Sequence, residues 1–345
     1  MSGTVHRFSV APGDPRERLD KLVMVFLERS GLSVSRASVQ RWIEHERVLV
    51  NGKASKSAAA VHLGALIEIR PEPPPLSKAE PDATIALCVV YEDADLLVID
   101  KPAGLVVHPA RGHADKTLVN ALLARDDFLY FLHSDEDAEV NAKDARVSSG
   151  ESDPVAHLRP GIVHRLDKGT SGLLVVAKNE KTREALKTLF QKHDIDREYV
   201  ALVCGNASDG TIDTLHGRHP KDRLRFTSFV EQGKRAITHV RVLERFGIAT
   251  LVACRLETGR THQIRVHLAE RMKTPVLGDP LYAKEIPNKD LEAIASGLGH
   301  QALHARVLGF VHPSTHMAMR WESAPPGDFQ RALLKLRKRA TKSST

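Results

Sequence analysis

One carboxylate stands in a segment whose neighbours suit it for chemistry. Residues 164–172 place Asp167 between Arg165 and Lys168, directly before the apolar stretch 173–177. Nearby cations keep a carboxylate ionised, and an ionised aspartate can act as a nucleophile or a general base. The glycines around it predict that a ligand can approach closely. The same residues also fit an ordinary loop ion pair, so the rest of the chain has to decide between the two.

Other residue types that could do chemistry lack the necessary spacing. His300 and His304 are four residues apart but have no glutamate between them of the kind found in zinc hydrolases. Cys88, Cys204 and Cys254 lie far apart, which predicts reduced core residues rather than metal ligands or disulfides. The glycine-rich patterns that bind ATP or NAD phosphates do not occur in the sequence. We therefore expect no metal and no cofactor.

The composition is that of a basic, water-soluble protein. The chain has 345 residues, of which 42% are hydrophobic and 27% charged. No apolar run approaches the roughly 20 residues that cross a bilayer, and the first residues lack a secretory signal pattern. The net charge of +7 favours a polyanionic partner such as RNA. We expect a monomer in the cytoplasm that does not bind membranes.

Changes in composition along the chain indicate its domains. Residues 1–16 form a tail, 17–72 a small module, and 73–83 a stiff proline-rich linker to a larger domain at 84–325. Nine acidic residues against two basic ones mark 126–153 as a surface insertion in that domain. Residues 326–345 form a basic tail, in which we expect the part from Phe329 to Thr345 to be a helix that frays into disorder.

The small module has the pattern of two helices and a hairpin. Apolar residues at helical spacing predict helices over 18–27 and 36–43, with Ser35 as the cap of the second. Residues 48–53 form a strand that enters an Asn-Gly turn, the strongest short hairpin signal. Arg36, Arg41 and Lys53 would give this module charge for a phosphate backbone. The alternative is a solvated helix in a protein-binding module.

The larger domain is rich in strands. β-branched and apolar runs predict strands over residues 84–91, 96–100, 172–177, 198–203, 236–243 and 249–256. Residues 181–192 have helical spacing, and Thr261 is the expected cap of a further helix over 261–268. Long strands with few helices indicate an α+β fold with a mixed or antiparallel sheet instead of a regular βαβ alternation.

Several segments resemble the RluA-type RNA pseudouridine synthases, in the same order along the chain. These segments are residues 101–109, 164–178, 197–203, 217–220, 233–239, 256–267 and 278–282, with His304-Ala305 and His312-Pro313 after them. The stretch in front of them resembles the S4 RNA-binding domain. The resemblance covers residues 18 to 325. It implies an α+β catalytic domain on a mixed, mainly antiparallel sheet, preceded by a small α/β S4-like domain.

The resemblance also implies residue roles. Asp167 would be the nucleophile or base that begins the isomerisation, and Arg265 would be the partner that keeps it ionised. Tyr199 would stack on the uracil near C5, and Arg165 would fill the space that the flipped uridine leaves. Taken by itself, Tyr199 also fits a core residue with its hydroxyl at the surface, and Arg265 fits a pair with any nearby acid or a phosphate contact.

The expected function follows from this resemblance. RNA contacts are also expected from Lys168, Arg260 and His262. An S4-like module in front of such a domain resembles the enzymes that act on ribosomal RNA, so we expect uridines of structured RNA, most of all large-subunit rRNA, to be the substrate. A tRNA-modifying synthase is the nearer alternative. A non-catalytic RNA-binding or ribosome-assembly factor is the alternative of a different class.

Overall fold

The described part of the chain divides into two compact units. The computed structural model describes residues 5–15, 17–30, 36–71, 80–108, 115–125, 161–283, 286 and 288–342, with only the backbone at 36–38. Residues up to 71 belong to the first unit and residues from 80 onward to the second. The acidic insertion at 126–153, most of the linker and the predicted cap Ser35 lie outside the described residues. Within these ranges, no helix is both long and apolar enough to cross a membrane.

The first unit has the predicted two helices and hairpin, with two further strands that extend the sheet beyond the first hairpin strand. Its sheet has the order β1-β4-β2-β3, and all its pairs are antiparallel. Asn51 and Gly52 have positive φ angles of 51° and 76°, as a two-residue hairpin turn requires. Both helices bury their apolar faces against the sheet. The elements are β1 (His6–Ser9), α1 (Leu19–Arg29), α2 (Arg36–Glu44), β2 (Val48–Val50), β3 (Lys53–Ala54) and β4 (Leu66–Ile69).

The second unit is built on one ten-stranded sheet. Its order is β10-β9-β11-β12-β8-β13-β7-β6-β5, with β14 paired to β13. Only the β7–β13 pair is parallel, so the predicted mixed, mainly antiparallel sheet is confirmed. The strands are β5 (Cys88–Glu92), β6 (Leu96–Lys101), β7 (Ser171–Ala177), β8 (Asp196–Cys204), β9 (Gly210–Arg218), β10 (Phe226–Thr227), β11 (Lys234–Arg245), β12 (Ala249–Leu256), β13 (Leu303–Val311) and β14 (Ala318–Glu322).

Helices cover this sheet at a few places. They are α3 (Leu118–Leu123), α4 (Glu180–Lys192), α5 (Gln263–Val266), which continues as a π-helix (His267–Arg271), α6 (Lys289–Ser296) and α7 (Gly327–Lys342). All seven residues of β7 are buried, as expected for an apolar strand in the middle of a sheet. Leu186 of α4 packs with Val175 of β7 and Leu308 of β13 in one hydrophobic cluster. This packing fixes β7, and therefore the loop with Asp167 in front of it.

The glycines next to Asp167 face protein atoms, not a ligand space. Gly172 has a φ of 113°, and a Cβ atom there would lie 2.6 Å from the backbone nitrogen of Ala305 on β13. A Cβ atom on Gly169 would lie 2.9 Å from the side-chain amide carbon of Gln301. The prediction that these glycines admit a ligand was therefore wrong. Their small size lets the Asp167 loop and the start of β7 pack tightly on β13.

Two further predictions need correction, whereas the expected C-terminal helix is present and runs to Lys342. The helix after Thr261 begins at Gln263, and His262 caps it in a left-handed conformation with a φ of 59°. Cys88 is exposed on β5 rather than buried in the core, whereas the other two cysteines are buried and all three are free.

Buried side chains and ion pairs explain why α7 is a regular helix. Phe329, Ala332 and Leu336 lie on one face and are buried. Arg337 binds Glu244 at 2.6 Å, and Arg339 binds Asp290 on α6 at 2.8 Å. The basic residues at this end of the chain therefore include two that hold the helix to the domain.

Candidate active site

Two loops hold Asp167 at the edge of the core. The Asp167 carbonyl accepts a hydrogen bond from the backbone N–H of Thr170 at 3.0 Å, which makes a tight turn in front of β7. The buried ammonium of Lys101 donates to the carbonyls of Pro102, Leu105 and Lys168 at 2.8, 2.9 and 3.3 Å. The Lys168 carbonyl also accepts the N–H of Gly104 at 2.8 Å. The 101–105 turn is thus joined to the residue that follows Asp167.

Arg265 is shared between two carboxylates. Its NH1 group donates to Asp167 Oδ2 at 2.8 Å, while Nε and NH2 donate to the two oxygens of Asp279 at 2.7 and 2.9 Å. The Arg265 and Asp279 side chains are 4% and 0% exposed, and that of Asp167 is 18% exposed. The predicted pairing of Arg265 with Asp167 is present. The bidentate contact with Asp279 fixes the plane of the guanidinium. It therefore also fixes the direction of the NH1 group that donates to Asp167.

The electrostatics favour an ionised Asp167. Burial alone would raise the pKa of Asp167, but the neighbouring His262, the cations Arg265 and Arg165 and the hydrogen bond from Arg265 together outweigh burial and lower it below the usual value. The pKa of Arg265 is raised, because its two carboxylates outweigh the effect of burial. Asp167 is therefore a carboxylate at neutral pH, with 18% of its side chain open to a ligand.

His262 lies beside this carboxylate and is held in one tautomer. Its Nδ1 is 3.0 Å from the Tyr282 hydroxyl, and its Nε2 is 3.9 Å from Asp167 Oδ2. The hydroxyl accepts the N–H of Phe226 at 2.8 Å and is 3.4 Å from the Phe226 carbonyl, so its own proton is best placed for Nδ1. The ring proton then sits on Nε2 and faces Asp167. Burial lowers the pKa of His262, despite the opposing effect of Asp167, which keeps the ring neutral.

Tyr199 is buried on β8 and keeps its proton. It lies opposite Ala305 of β13, and Gly172 pairs with the same Ala305 from the other side. Burial raises the pKa of Tyr199, and the charge of Asp167 raises it further, although Arg197 opposes both. Tyr199 is therefore a neutral phenol that feels the charge of the Asp167 carboxylate.

Comparisons with known proteins identify the family of this chain. Residues 95–270 match the family described as RNA pseudouridylate synthase, and residues 17–67 match the S4 domain. The chain belongs to the RNA pseudouridylate synthase family. A Bacillus subtilis protein named as an uncharacterized RNA pseudouridine synthase, YlyB, is 42% identical, with 93% of this chain and 95% of that protein covered. The Pseudomonas aeruginosa protein named ribosomal large subunit pseudouridine synthase D is 39% identical, with 95% of each chain covered.

Solved structures agree on the fold of this pseudouridine synthase. Human RNA Pseudouridylate Synthase Domain Containing 4 matches with a TM-score of 0.51 and 24% identity over 72% of this chain and 93% of that chain. Human RNA Pseudouridylate Synthase Domain Containing 1 matches with a TM-score of 0.50 over 72% and 87%. Together with the sheet order, these matches confirm the predicted fold class.

The remaining predicted site residues lie at different places in the synthase. Arg165 and Lys168 are exposed on either side of Asp167. Arg260 is half-buried and donates through Nε to the Arg235 carbonyl at 3.2 Å. Two predicted RNA contacts of the first unit are described: the half-buried Arg41 and the exposed Lys53. The third, Arg36, has its side chain outside the described residues.

The sequence argument gave no role to three residues that build the site. Asp279 and Tyr282 lie in the 278–282 segment, which was noted only as a resemblance. Lys101 ends the buried strand β6, and it is itself fully buried. A lysine two positions after four apolar strand residues was the available signal, since such a lysine is rarely buried without acceptors. Burial lowers the pKa of Lys101 to about 8, while nearby Asp167 and Asp100 oppose that shift.

One cluster among the described residues has the composition of a metal site. Ligand atoms of Asp93, Asp95 and His312 lie within 4.8 Å of one another. The Nδ1 of His312 accepts the N–H groups of Ser314 and Thr315 at 3.2 and 3.1 Å, which places the ring proton on Nε2. That Nε2 faces Asp93 at 3.0 Å. A protonated nitrogen cannot bind a metal, so these residues fit a structural contact and not a metal ion.

Proposed function

We propose that this pseudouridine synthase isomerises uridines of large-subunit ribosomal RNA and that Asp167 begins the reaction. The observation that supports the role of Asp167 is its partly open carboxylate, kept ionised by Arg265, which Asp279 orients from the other side. The relatives named ribosomal large subunit pseudouridine synthase D support the substrate class.

The reaction is an isomerisation, so its atoms balance without a second substrate. The N1–C1′ bond breaks, the uracil turns, a C5–C1′ bond forms, and the proton on C5 leaves while N1 gains one. Bond cleavage can begin with attack by a carboxylate or with removal of a ribose proton by it, and both need Asp167 ionised. The contact with Arg265 provides that ionised state of Asp167 at neutral pH.

Two other side chains contribute to the proposed site. Tyr199 would stack on the uracil near C5. Because its pKa is raised, it would serve as a relay that gives up its phenol proton as it receives the C5 proton, and not as a ready base. The Nε2–H of neutral His262 points to the space beside Asp167 and would donate to an oxygen of the target nucleotide.

The RNA would also contact the surface around the site and the S4 domain. Arg165 would fill the space left by the flipped uridine, and Lys168 and Arg260 would contact the strand beside it. Arg36, Arg41 and Lys53 would add phosphate contacts from the S4 domain. We further propose that the enzyme acts on large-subunit precursors in the cytoplasm and that it is a monomer. Light scattering of the purified chain would test the monomeric state.

The test compares wild type with Asp167→Asn on transcripts of large-subunit rRNA and of tRNA, followed by mapping of pseudouridine. We expect wild type to modify the rRNA transcript and Asp167→Asn to form no detectable product, with RNA affinity within about twofold of wild type, because shape is kept and charge is lost. Asp213→Asn, which alters an exposed carboxylate paired with Arg235, should retain full activity. Product from Asp167→Asn would refute the mechanism, and modification of tRNA alone would refute the substrate.

A further inference from the structure

An aromatic ring stands exposed in the segment that follows β10. Phe229 is 59% exposed, although a phenyl ring gains most by burial. The residues just before it are firmly anchored. Glu270 of the π-helix accepts hydrogen bonds from Thr227 Oγ1 at 3.0 Å and from the N–H and hydroxyl of Ser228, both at 2.7 Å. The ring is therefore held in the open by a rigid backbone.

Two cations surround this ring. The guanidinium carbon of Arg271 lies 4.1 Å from the ring centroid, and the Lys273 ammonium lies 5.5 Å from it. Arg271 is itself fixed, because its Nε donates to Ser228 Oγ at 2.8 Å. Of the acids near this segment, Glu231 is exposed and Glu270 has one carboxylate oxygen engaged by three donors. An aromatic ring beside two cations has the chemistry of a single-stranded nucleic-acid contact, in which a base stacks and phosphates pair with the charges.

The anchoring segment also leads back to the active site. The N–H of Phe226 donates to the Tyr282 hydroxyl at 2.8 Å. The same hydroxyl is 3.0 Å from Nδ1 of His262, the residue beside Asp167. The turn before Phe226 carries more cations and another exposed apolar residue, Leu224, which is 72% exposed. The site and the exposed ring are thus parts of one hydrogen-bonded framework with a positive surface.

We propose that Phe229 is a stacking platform for an unpaired base of the substrate RNA, with Arg271 and Lys273 neutralising the phosphates next to that base. This assignment rests on the proposed RNA substrate. Arg271 covers one face of the ring, and a base stacks on the part that remains open. The cations favour RNA over a protein partner, because a protein-binding aromatic is typically set in an apolar patch with charge at its rim. The platform holds the strand outside the pocket and takes no part in bond breaking.

The test measures binding of the full-length enzyme to a fluorescent oligoadenylate and to an abasic strand of the same length and charge. Base stacking on an aromatic side chain contributes about 1–3 kcal/mol, so Phe229→Ala should bind oligoadenylate about 5- to 160-fold more weakly. Binding of the abasic strand should not change. Phe229→Trp should restore the affinity and Phe229→Leu should not, since leucine keeps apolar bulk but has no π face.

Salt dependence separates the ring from its cations. Phe229→Ala should leave the slope of log affinity against log salt unchanged, whereas Lys273→Gln should lower it by about 0.7. Leu224→Ala is the matched control, because it removes an exposed apolar side chain from the preceding turn without removing a π face. Thermal unfolding should confirm that each variant is folded. The proposal would be overturned if Phe229→Ala kept its affinity for oligoadenylate, or if it lost affinity equally for the abasic strand. A protein would then be the better candidate partner for the ring.

These measurements do not depend on isomerisation. The platform proposal fails if Phe229→Ala keeps the base-dependent part of binding, even though the wild-type enzyme forms product. The proposed function fails if the wild-type enzyme forms no product, even though Phe229→Ala loses the base-dependent part of binding. The two outcomes are therefore distinguishable in the same preparations.

Discussion

At the scale of single residues, the orientation of Arg265 decides how Asp167 is held. A guanidinium has five N–H donors in one plane, and Asp279 uses the edge formed by Nε and NH2. Asp279 in turn accepts the backbone N–H groups of Leu281 and Tyr282 at 2.9 and 3.1 Å. The carboxylate of Asp279 therefore cannot turn with the arginine. The direction of the Arg265 NH1 group that donates to Asp167 is therefore set by Asp279, which has no proposed part in the reaction.

We expect Asp279→Asn to lower kcat, with a smaller change in KM. The amide keeps the shape but loses the charge, and its NH2 group cannot accept a hydrogen bond from Arg265, so the guanidinium loses its fixed plane. A misplacement near 1 Å costs on the order of 10²-fold in rate. Single-turnover kinetics on the rRNA transcript would measure the loss. Breaking a buried pair should also cost about 3 kcal/mol of unfolding free energy.

A matched surface pair separates positioning from stability. Asp290→Asn removes the partner of Arg339, where the Asp290 side chain is 62% exposed, and should change neither rate nor stability. If Asp279→Asn unfolds more easily but keeps its kcat under conditions in which it is folded, Asp279 stabilises the domain without positioning Arg265.

The sequence predicted some of these residues and not others for a physical reason. The contact of Arg265 with Asp167, separated by 98 positions, was expected from the family resemblance, and chemistry supports it because a buried carboxylate needs a cation. Asp279 was missed because no local pattern shows which acid a buried arginine chooses. His262 was predicted as an RNA contact, but its tautomer depends on the Tyr282 hydroxyl, which only the folded chain brings to it. The catalytic roles stay predictions.

At the scale of elements, the parallel contact between β7 and β13 fixes the Asp167 loop. We expect Gly172→Ala to be strongly destabilising, because a Cβ atom would lie 2.6 Å from the Ala305 nitrogen on a backbone with a φ of 113°. Backbone strain of this kind costs about 1–3 kcal/mol, and the forced separation of the strands adds to it. Urea unfolding would measure the loss, and activity should fall with it as the loop shifts.

The chain offers a direct control for this prediction. Gly247 joins β11 to β12 with a φ of 76°, and a Cβ atom there would meet nothing within 4 Å. Gly247→Ala should therefore cost only the conformational strain, about 1 kcal/mol. Equal losses in the two variants would show that the strand contact at Gly172 tolerates a methyl group.

Elements were predictable where burial is continuous. The strands β7, β8, β11 and β12 were expected within a few residues, because each contains a run of apolar or β-branched side chains. Strand β9 was missed, since its exposed and buried residues alternate irregularly and its length gives no apolar run. Strand β13 was missed because a histidine, an arginine and a glycine interrupt it, although most of it is buried. Sheet pairing, not local propensity, makes these segments strands.

At the scale of the whole molecule, the described residues form two units that each have their own hydrophobic core. The domain bounds drawn from composition, with the proline-rich linker and the acidic insertion, stay a prediction. The stability of the second unit depends on groups that composition does not reveal. His267 is fully buried at the start of the π-helix, where its two ring nitrogens contact Thr238 Oγ1 at 2.9 Å and Thr214 Oγ1 at 3.0 Å.

This burial predicts a loss of stability in mild acid. Burial, with His216 and Arg271 nearby, lowers the pKa of His267 to about 4 from its usual 6.5. At a pH between 6.5 and about 4, His267 is protonated in the unfolded chain but not in the folded chain. The unfolding free energy therefore falls as the pH drops through this range. Above the unfolded-state pKa, His267 is neutral in both states, and its full contribution to the unfolding free energy is present. Lowering the pH from about 7 to about 5 should cost about 2 kcal/mol through this residue.

Urea unfolding of the second unit, followed by fluorescence, would measure this effect. In a Trp42→Phe background the remaining tryptophan, Trp321, reports on the second unit alone. His267→Gln should be less stable than its parent near neutral pH but lose less on acidification, because glutamine does not titrate. His316→Asn, at an exposed position with a left-handed backbone that asparagine tolerates, should keep the full pH dependence. An undiminished pH dependence in His267→Gln would show that other groups, and not His267, resist protonation in the fold.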